Sequence, residues 1–376
     1  MKTSFFNEMS ARFSHAYDKF LLLIPPKYHG AVDWVRIVFS IYPKYVLFPQ
    51  IKNKLRPRRF YVGSDKKLYI SYIPTVEGIG GQLCRYTTAI ILADMFNLDY
   101  VHSPFISDFH CPALDWQKFL GFSDNKVRYE TLSKRKSLRV IYLPRFDFRY
   151  LKNFQQEILK RIIEENSNGK ETLFLMTGYS FYPMHEYAGW KKITSMMSQE
   201  YMRVKRLPSV KNYLSKNKIN IVVIVRRGEI SGMHANGDVE GLRRWVNVEW
   251  YVSILDKLIR LCGSNTNIQI FSDANSISEL RDLAQFGKSN IHLLKDSEYQ
   301  PFETFDSMVK ADIVVCGLSS FSYFAPSLSN NIKIVPPAKV RVNYFPEKQK
   351  SNWIFSDEEG NFDEKEIKNY LKNKSV

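Results

Sequence analysis

Apolar and polar positions alternate along this chain with two periodicities, one typical of strands and one typical of helices. The first apolar run, Leu68–Ile73, stops at Pro74, which cannot donate a hydrogen bond to a strand ladder, and we expect a strand there. A glycine turn follows, and from Gln82 to Phe96 the apolar residues recur near the helical period. A second short apolar run starts at Tyr100. This order of strand, turn, helix and strand predicts a βαβ unit.

The alternation continues to the C-terminus. Ile219–Val225 is a continuous apolar run broken only by Asn220, as expected of a strand that is buried on both faces. Further strands are predicted at Arg139–Leu143, Thr172–Met176, Ile268–Phe271, Ile291–Leu294, Ile313–Cys316 and Ile332–Val335. Helices are predicted at Phe154–Glu164, Val248–Leu261, Ser276–Gln285, Phe302–Val309 and Asp363–Leu371. Strands and helices in alternation predict parallel sheets with helices on their faces.

A chain of 376 residues exceeds the size of one ordinary core and fits two domains. With 44% hydrophobic and 24% charged residues, it is typical of a globular protein and not of a disordered one. We expect an α/β protein of two Rossmann-like domains, over residues 61–205 and 206–376, with a linker between residues 195 and 215. The four cysteines are scattered without paired spacing, which argues against a zinc knuckle or a disulfide framework and favours a reducing compartment.

Residues 1–60 make a separate arm ahead of these domains. Its aromatic and aliphatic clusters are followed by a basic run of Lys52, Lys54, Arg56, Arg58 and Arg59. This composition suits a segment that lies in a membrane interface on anionic lipid, and equally a helical arm that packs on the core with a solvated basic rim. No apolar run reaches the roughly 18 residues that span a bilayer, and the start of the sequence lacks a signal-peptide pattern. We therefore expect a cytoplasmic protein, peripheral on the inner face of a membrane if the arm binds lipid.

The net charge of +16 favours an anionic partner, and nucleic acid, a membrane surface and a phosphorylated substrate each fit this charge. In parallel α/β sheets, ligands bind beyond the carboxyl ends of the strands. Arg226 and Arg227 stand directly after the predicted strand Ile219–Val225, where guanidinium groups chelate phosphate oxygens in bidentate fashion. Gly228 lets the backbone turn at once. The alternative is a solvated arginine pair, or one that is paired with a carboxylate.

Three further segments carry candidate ligands. Phe271-Ser272-Asp273 ends in a carboxylate that accepts hydrogen bonds from a base or a ribose, or else caps the helix that starts near Ser276. The Cys316–Ser322 segment places small hydroxylated residues at a helix N-terminus, which suits an anion, although a plain N-cap explains one of the serines. The Gly78–Gln82 turn allows backbone to approach a ligand closely, or is a plain tight turn, and it does not fit the dinucleotide glycine pattern.

In this order, the motifs resemble the fucosyltransferase superfamily that includes the α-1,2 and α-1,6 enzymes and the protein O-fucosyltransferases. Arg226-Arg227-Gly228-Glu229 is similar to the superfamily's H-x-R-R-G-D motif. The Gly78–Gln82 turn and the Tyr100–Phe105 segment are similar to the first half of related sequences. Phe271–Asp273 and Ser319–Ser322 are similar to the later, nucleotide-side motifs. The resemblance covers about residues 68–340.

The resemblance implies a GT-B fold, in which two Rossmann-like domains face each other across a cleft. It also implies an inverting glycosyltransferase that uses GDP-fucose, with neither a metal nor another cofactor. On this pattern Arg226 and Arg227 hold the donor phosphates. Asp273 holds the nucleoside, and Ser319 with Ser320 holds a phosphate. The rest of the implied donor site is Gly80, Gly81, Gln82 and Phe321.

Two positions depart from the motif, because its His falls on Ile224 and its Asp is lengthened to Glu229. The arginine pair, which carries the charge, is intact. Since no carboxylate cluster of metal-ligand spacing stands beside a strand end, we expect arginine to replace the divalent ion that other transferases use at the leaving diphosphate. The candidates for the base that takes the acceptor proton follow the arginine pair: Glu229, ranked first because it is nearest the strand end, then His234, Asp238 and Glu240.

The expected partners are therefore a sugar-nucleotide donor and a glycan or glycolipid acceptor, with an anionic membrane surface as a further one and no nucleic acid. One alternative is a GT-B transferase for another sugar nucleotide, such as GDP-mannose or an ADP-heptose. An alternative of another class is a non-catalytic protein that binds nucleic acid or a membrane surface through its basic charge.

Overall fold

The structure, a computed structural model, describes residues 67–75, 77–106, 115–122, 126–135, 137–144, 146, 152–167, 171–177, 184–204, 209–337 and 352–374. The predicted arm over residues 1–60 lies outside this part of the chain. The described residues form two parallel β-sheets with helices packed on them, which is the α/β class that the sequence pattern predicts. No helix among these residues is long and apolar enough to cross a bilayer.

The first sheet contains four parallel strands in the order β2-β1-β4-β3. Its strands are β1 (Leu68–Tyr72), β2 (Asp99–Tyr100), β3 (Arg139–Leu143) and β4 (Thr172–Met176). The helices of this half are α1 (Ile79–Phe96), α2 (Trp116–Leu120), α3 (Tyr129–Leu132), α4 (Lys152–Asn166) and α5 (Trp190–Arg203), with a 3₁₀ turn at Met184–Glu186. All five residues of β4 are buried, as its continuous apolar run predicts for a strand covered on both faces.

The second sheet contains six parallel strands in the order β10-β9-β8-β5-β6-β7. Its strands are β5 (Ile219–Val225), β6 (Thr266–Ser272), β7 (Ile291–Leu293), β8 (Ile313–Val315), β9 (Ile332–Val335) and β10 (Trp353–Phe355). Its helices are α6 (Gly228–Ala235), α7 (Val239–Arg244), α8 (Val248–Cys262), α9 (Gln300–Lys310), α10 (Ser320–Ser327) and α11 (Lys365–Lys374). Short 3₁₀ segments lie at Ile277–Phe286, Lys288–Asn290 and Leu294–Asp296.

The strand order reverses at one place in each sheet. From β5 the chain adds β6 and β7 on one side, then crosses back to add β8, β9 and β10 on the other side. This is the order of the dinucleotide-binding Rossmann sheet, in which a crevice opens between the carboxyl ends of the two strands at the reversal. The crevice of the second sheet therefore lies between β5 and β8. In the first sheet the reversal lies between β1 and β4.

Aromatic side chains join the two halves in one buried core. The rings of Phe119 in α2 and Phe302 in α9 stack with their centroids 4.0 Å apart and their planes 3° apart. Trp116 meets Phe302 edge-on at 4.7 Å. The Tyr201 hydroxyl of α5 donates to Asp306 Oδ1 of α9 at 2.8 Å. Since burial of each ring contributes about 1.5–3 kcal/mol, these contacts stabilise one arrangement of the two sheets.

The structure confirms the predicted strands and adds β10, α2, α3 and α5, which the sequence pattern did not predict. The glycine turn predicted at Gly78–Gln82 is helical from Ile79 onward, as the first turn of α1. The linker predicted between residues 195 and 215 is occupied in its first part by α5, which continues to Arg203. The predicted helix Ser276–Gln285 is a 3₁₀ segment that is broken at Leu280, where φ is −122° and ψ is 21°. The chain between β5 and α8, where no helix was predicted, forms α6 and α7. Two glycines in the eight residues of α6 weaken its helical signal in the sequence.

Candidate functional site

The carboxyl ends of β5 and β8 border the crevice of the second sheet. Arg226 and Arg227 follow β5 directly, and β8 runs through Cys316 and Gly317 into the N-terminus of α10. A Cβ atom on Gly317 would lie 2.9 Å from the carbonyl oxygen of Ile224, so glycine allows the two strand ends to come together. Because Rossmann sheets bind ligands where the strand order reverses, this edge is the candidate site.

Arg226 is held at this edge by two carboxylates. Its Nη1 forms an ion pair with Asp273 Oδ2, at the end of β6, and its Nη2 donates to Glu229 Oε1 at 2.8 Å. The side chain is 19% exposed. A guanidinium has five N–H donors, and in the described part of the chain the other three donors of Arg226 make no hydrogen bond. Arg226 is therefore paired with carboxylates, as the alternative interpretation of this motif predicts, and it keeps further N–H donors beside them.

Arg227 lies differently, because its residue is only 1% exposed. Its Nη1 donates to the Arg226 carbonyl at 2.8 Å, and its Nη2 donates to the Val246 carbonyl at 3.0 Å. Its Cζ lies 4.1 Å from the ring centroid of Trp245. Burial lowers the pKa of the Arg227 guanidinium from its ordinary value. Two of the Arg227 donors are thus turned inward to backbone carbonyls, which does not fit the expectation that both arginines face a ligand.

Asp273 organises the loop that carries the arginines. Its Oδ1 accepts a hydrogen bond from the Arg227 backbone N–H at 2.5 Å, while Oδ2 faces Arg226. Gly228 has a φ of +32°, and a Cβ there would lie 2.6 Å from Asp273 Oδ2. Only glycine fits this left-handed turn against the carboxylate. The alternative role of capping the next helix is taken by Ser276, which caps its own 3₁₀ segment.

The serine cluster forms the N-terminus of α10. Ser319 is the N-cap, and its Oγ accepts from the Ser322 N–H at 3.1 Å and lies 2.8 Å from Ser322 Oγ. Ser320 is the first helical residue and is partly exposed. Phe321 is partly exposed and packs against Phe305 of α9, with centroids 5.8 Å apart. One serine is therefore used by the cap, as the plainer interpretation of this motif predicts, and Ser320 lies beside it.

The glycine segment predicted as a turn forms the first turn of α1, and it meets the N-terminus of α10. A Cβ atom on Gly80 would lie 2.5 Å from Ser320 Oγ and 2.6 Å from the Phe321 backbone nitrogen. The turn lies after β1 and the serines lie after β8, and both strands border a reversal of strand order. The structure therefore brings together the carboxyl edges of the two sheets, as expected of two Rossmann-like domains that face each other.

The other residues of the turn are engaged within the first half. A Cβ on Gly81 would lie 2.5 Å from Glu77 Oε2. Gln82 Nε2 donates to the Glu77 carbonyl at 3.0 Å, and its Oε1 accepts from the Ile106 N–H at 3.0 Å. Glu77 also pairs with the buried Arg85 at 2.5 Å. Gln82, predicted as a ligand of the sugar-nucleotide donor, thus ties the start of α1 to the Glu77 and Ile106 backbones through its amide.

The four candidate bases lie at different distances from the strand end. Glu229 is in the first turn of α6, is 40% exposed and touches Arg226. His234 stacks on Trp245, with centroids 4.3 Å apart. Asp238 is exposed, and the Glu240 side chain is outside what the structure describes. Glu229 is therefore the one that the described geometry places against the arginine. Within the described residues, no group of three or more His, Cys, Asp or Glu side chains is arranged to hold a metal ion.

Two site residues were missed in the sequence. Trp245 lies over Arg227, and the Tyr251 hydroxyl donates to the Ile224 carbonyl at 3.1 Å. They come from the turn after α7 and from α8, about 20 residues beyond the arginines, and no local spacing links them to the motif. Ile224, which stands where the superfamily motif has His, is buried in β5, and its backbone carbonyl accepts from the Tyr251 hydroxyl.

No protein-family model and no curated protein matches this chain. Similar solved structures include a mutant of Arabidopsis thaliana FUT1 in complex with GDP, with a TM-score of 0.41 and 10% identity over 83% of this chain and 80% of that one. NodZ α-1,6-fucosyltransferase of Bradyrhizobium, soaked with GDP-fucose, has a TM-score of 0.40 and 12% identity over 70% and 93%. POFUT1 in complex with GDP has a TM-score of 0.43 and 12% identity over 74% and 100%. These three solved structures are fucosyltransferases, at similarities too low to assign the chain to their family.

Proposed function

We propose that this protein is an inverting glycosyltransferase that takes its sugar from a nucleoside diphosphate donor. The observation that carries the proposal is the position of Arg226. This partly exposed cation lies at the reversal of strand order in a Rossmann sheet, with the N-terminus of α10 on the other side of the same crevice. Both features suit a diphosphate, because guanidinium groups and helix N-termini bind phosphate oxygens.

Arg226 would act on the leaving group. When the bond between the sugar and the phosphate breaks, a nucleoside diphosphate departs with new negative charge, and a fixed cation stabilises that charge as it develops. The carboxylates of Asp273 and Glu229 keep the guanidinium in place before the donor binds, so little reorganisation is needed. Arg227 would position this loop without touching the donor.

Glu229 is the proposed general base. The acceptor hydroxyl attacks the anomeric carbon from the face opposite the diphosphate, and the carboxylate of Glu229 takes the hydroxyl proton as the new C–O bond forms. Such proton transfer contributes roughly 10² to 10⁴-fold in rate. Its exposed carboxylate supports this role, and the role requires Glu229 to leave its ion pair with Arg226 when donor and acceptor bind.

GDP-fucose is the proposed donor on the strength of the motif resemblance, and the reaction is proposed to need no metal.

The acceptor is proposed to be a glycan or glycolipid, and the arm over residues 1–60 is proposed to hold the protein on anionic membrane. Deleting the arm separates these roles, because liposome binding should fall while donor hydrolysis in solution persists.

The test of the function needs no acceptor. The protein is incubated with GDP-fucose alone, and the release of GDP is followed with and without excess EDTA. Slow hydrolysis that is insensitive to EDTA is expected. Thermal-shift measurements with GDP, GDP-mannose and ADP then distinguish the donor base and sugar, since only the true donor diphosphate stabilises strongly. A protein that is stabilised by none of these and binds DNA or RNA in a salt-dependent way would instead be the nucleic-acid-binding alternative.

A further inference from the structure

Trp245 lies between a cation and an imidazole. Its ring centroid is 4.1 Å from the Cζ of Arg227, and its ring stacks on His234 with centroids 4.3 Å apart and planes 16° apart. Two planar groups at that height over one indole would collide if they shared a face. Arg227 and His234 therefore cover opposite faces of the Trp245 ring.

The indole is fixed within the segment that leaves β5. The Trp245 backbone N–H donates to the Gly241 carbonyl at 3.0 Å, and its Nε1 donates to Asn247 Oδ1 at 2.8 Å. The next residue, Val246, accepts from Arg227 Nη2 at 3.0 Å. The Trp245–Asn247 turn thus supplies Arg227 with a π-face and a carbonyl acceptor, and cation–π attraction is strongest for such desolvated cations.

A chain of contacts leads from Trp245 to the proposed phosphate ligand. Arg227 Nη1 donates to the Arg226 carbonyl at 2.8 Å, and the Arg227 backbone N–H donates to Asp273 Oδ1 at 2.5 Å. Asp273 Oδ2 in turn pairs with the Arg226 guanidinium. Both the backbone and the side chain of Arg226 are therefore positioned by groups that Arg227 holds.

We infer that Trp245 is a positioning residue for the diphosphate site, which it serves by fixing Arg227 and, through Arg227 and Asp273, the direction of the Arg226 guanidinium. This inference rests on the proposed function, because it needs Arg226 to bind the donor diphosphate. It assigns the α6–α7 segment, which carries His234, to the support of the phosphate site.

The test compares Trp245→Leu and Trp245→Phe with Trp353→Phe in the full chain. Leucine keeps apolar volume but lacks a π-face, whereas phenylalanine keeps the face. Trp353 on β10 is the matched control, because it also stacks on a ring, Tyr323 at 5.3 Å, and lies 5.5 Å from a cation, Lys333 Nζ. The measured quantity is the ratio of GDP to GMP affinity by calorimetry, since a purely structural role would not change the preference for the second phosphate.

Trp245→Leu is expected to lower this ratio about tenfold, with Trp245→Phe restoring most of it and Trp353→Phe leaving it at the wild-type value. A wild-type ratio in Trp245→Leu, or an equal fall in Trp353→Phe, overturns the inference and leaves the proposed function standing. A wild-type protein that binds GDP no better than GMP overturns the proposed function, and the inference with it. The unfolding midpoint of each variant shows that the folded protein was titrated.

Discussion

Arg226 and Asp273 leave the neighbouring strands β5 and β6 and form an ion pair at the carboxyl edge of the six-stranded sheet. The Asp273 carboxylate also accepts a hydrogen bond from the Arg227 backbone N–H. One acidic residue therefore positions both the loop after β5 and the Arg226 guanidinium. A site built in this way carries an oriented guanidinium before any ligand arrives. The same arrangement divides the arginine pair into one residue that is partly exposed and one that is buried.

The two arginines should therefore respond differently to removal. Arg227→Ala is expected to lower the free energy of unfolding by about 2–4 kcal/mol, because it leaves the carbonyls of Arg226 and Val246 without their donor in a buried place. Arg226→Ala breaks an ion pair whose side chains are 19% and 14% exposed, and it should cost about 1–2 kcal/mol because Asp273 keeps the Arg227 N–H as a partner. Urea denaturation of both variants measures the difference. Equal losses would contradict the buried, supporting role of Arg227.

Gly80 tests the contact between the two carboxyl edges. Gly80→Ala is expected to destabilise the protein by about 1–3 kcal/mol, since its Cβ would overlap the Ser320 and Phe321 atoms at the start of α10. Gly232 in α6 is the matched control, because a Cβ there meets nothing within 4 Å. Gly232→Ala should be neutral or stabilise by up to about 1 kcal/mol. Thermal and urea unfolding of the two variants provide the comparison, and a neutral Gly80→Ala would be the contrary result.

Much of the fold was predictable because buried parallel strands leave a strong signal in sequence. β5 is a run of apolar residues, and its predicted bounds agree with the structure. α6 and α7 were not predicted, because α6 contains two glycines and its position depends on Asp273 from another strand. Strand order also depends on tertiary pairing, so the reversal between β5 and β8 was not visible in the alternation of elements.

His102 gives the stability of the first half a pH dependence. Burial lowers its pKa to about 4 from 6.5, and its Nε2 lies 2.7 Å from Gln117 Oε1. Between these pH values the unfolded chain binds a proton that the folded chain does not, so stability is fully present above pH 6.5 and is lost as the pH falls towards 4. The expected slope is at most about 1.4 kcal/mol per pH unit for this one group.

His102→Gln should reduce the change of unfolding free energy with pH between about pH 6.5 and pH 5. This window lies between the pKa of His102 in the unfolded chain and its lowered pKa in the folded chain. The measurement is urea denaturation at several pH values. Burial also lowers the pKa of His292 to about 4, so His292 contributes a similar pH dependence of stability, which the His102→Gln variant retains. A slope that is identical in the wild type and in His102→Gln would show that His102 is not the group responsible.

The positions of the candidate residues in the fold were predictable from the sequence, and their side-chain contacts were not. Strand ends gave Arg226, Asp273 and Ser320, because the carboxyl edge of a parallel sheet follows from the strand prediction alone. The different burial of Arg226 and Arg227 could not be predicted, because the two adjacent residues are of the same type. The burial of Arg227 depends on its contact with Trp245, which comes later in the chain. The roles of these residues towards a donor stay predictions.

The most direct test of the central claim is the affinity of Arg226→Gln for GDP. GDP and guanosine are titrated calorimetrically into the wild type and the variant, with EDTA in excess. We predict that the wild type prefers GDP strongly, that EDTA does not change this preference, and that the variant loses about 2 kcal/mol of GDP binding free energy, roughly 30-fold in affinity, with guanosine binding unchanged. Wild-type affinity for GDP in Arg226→Gln would contradict the claim.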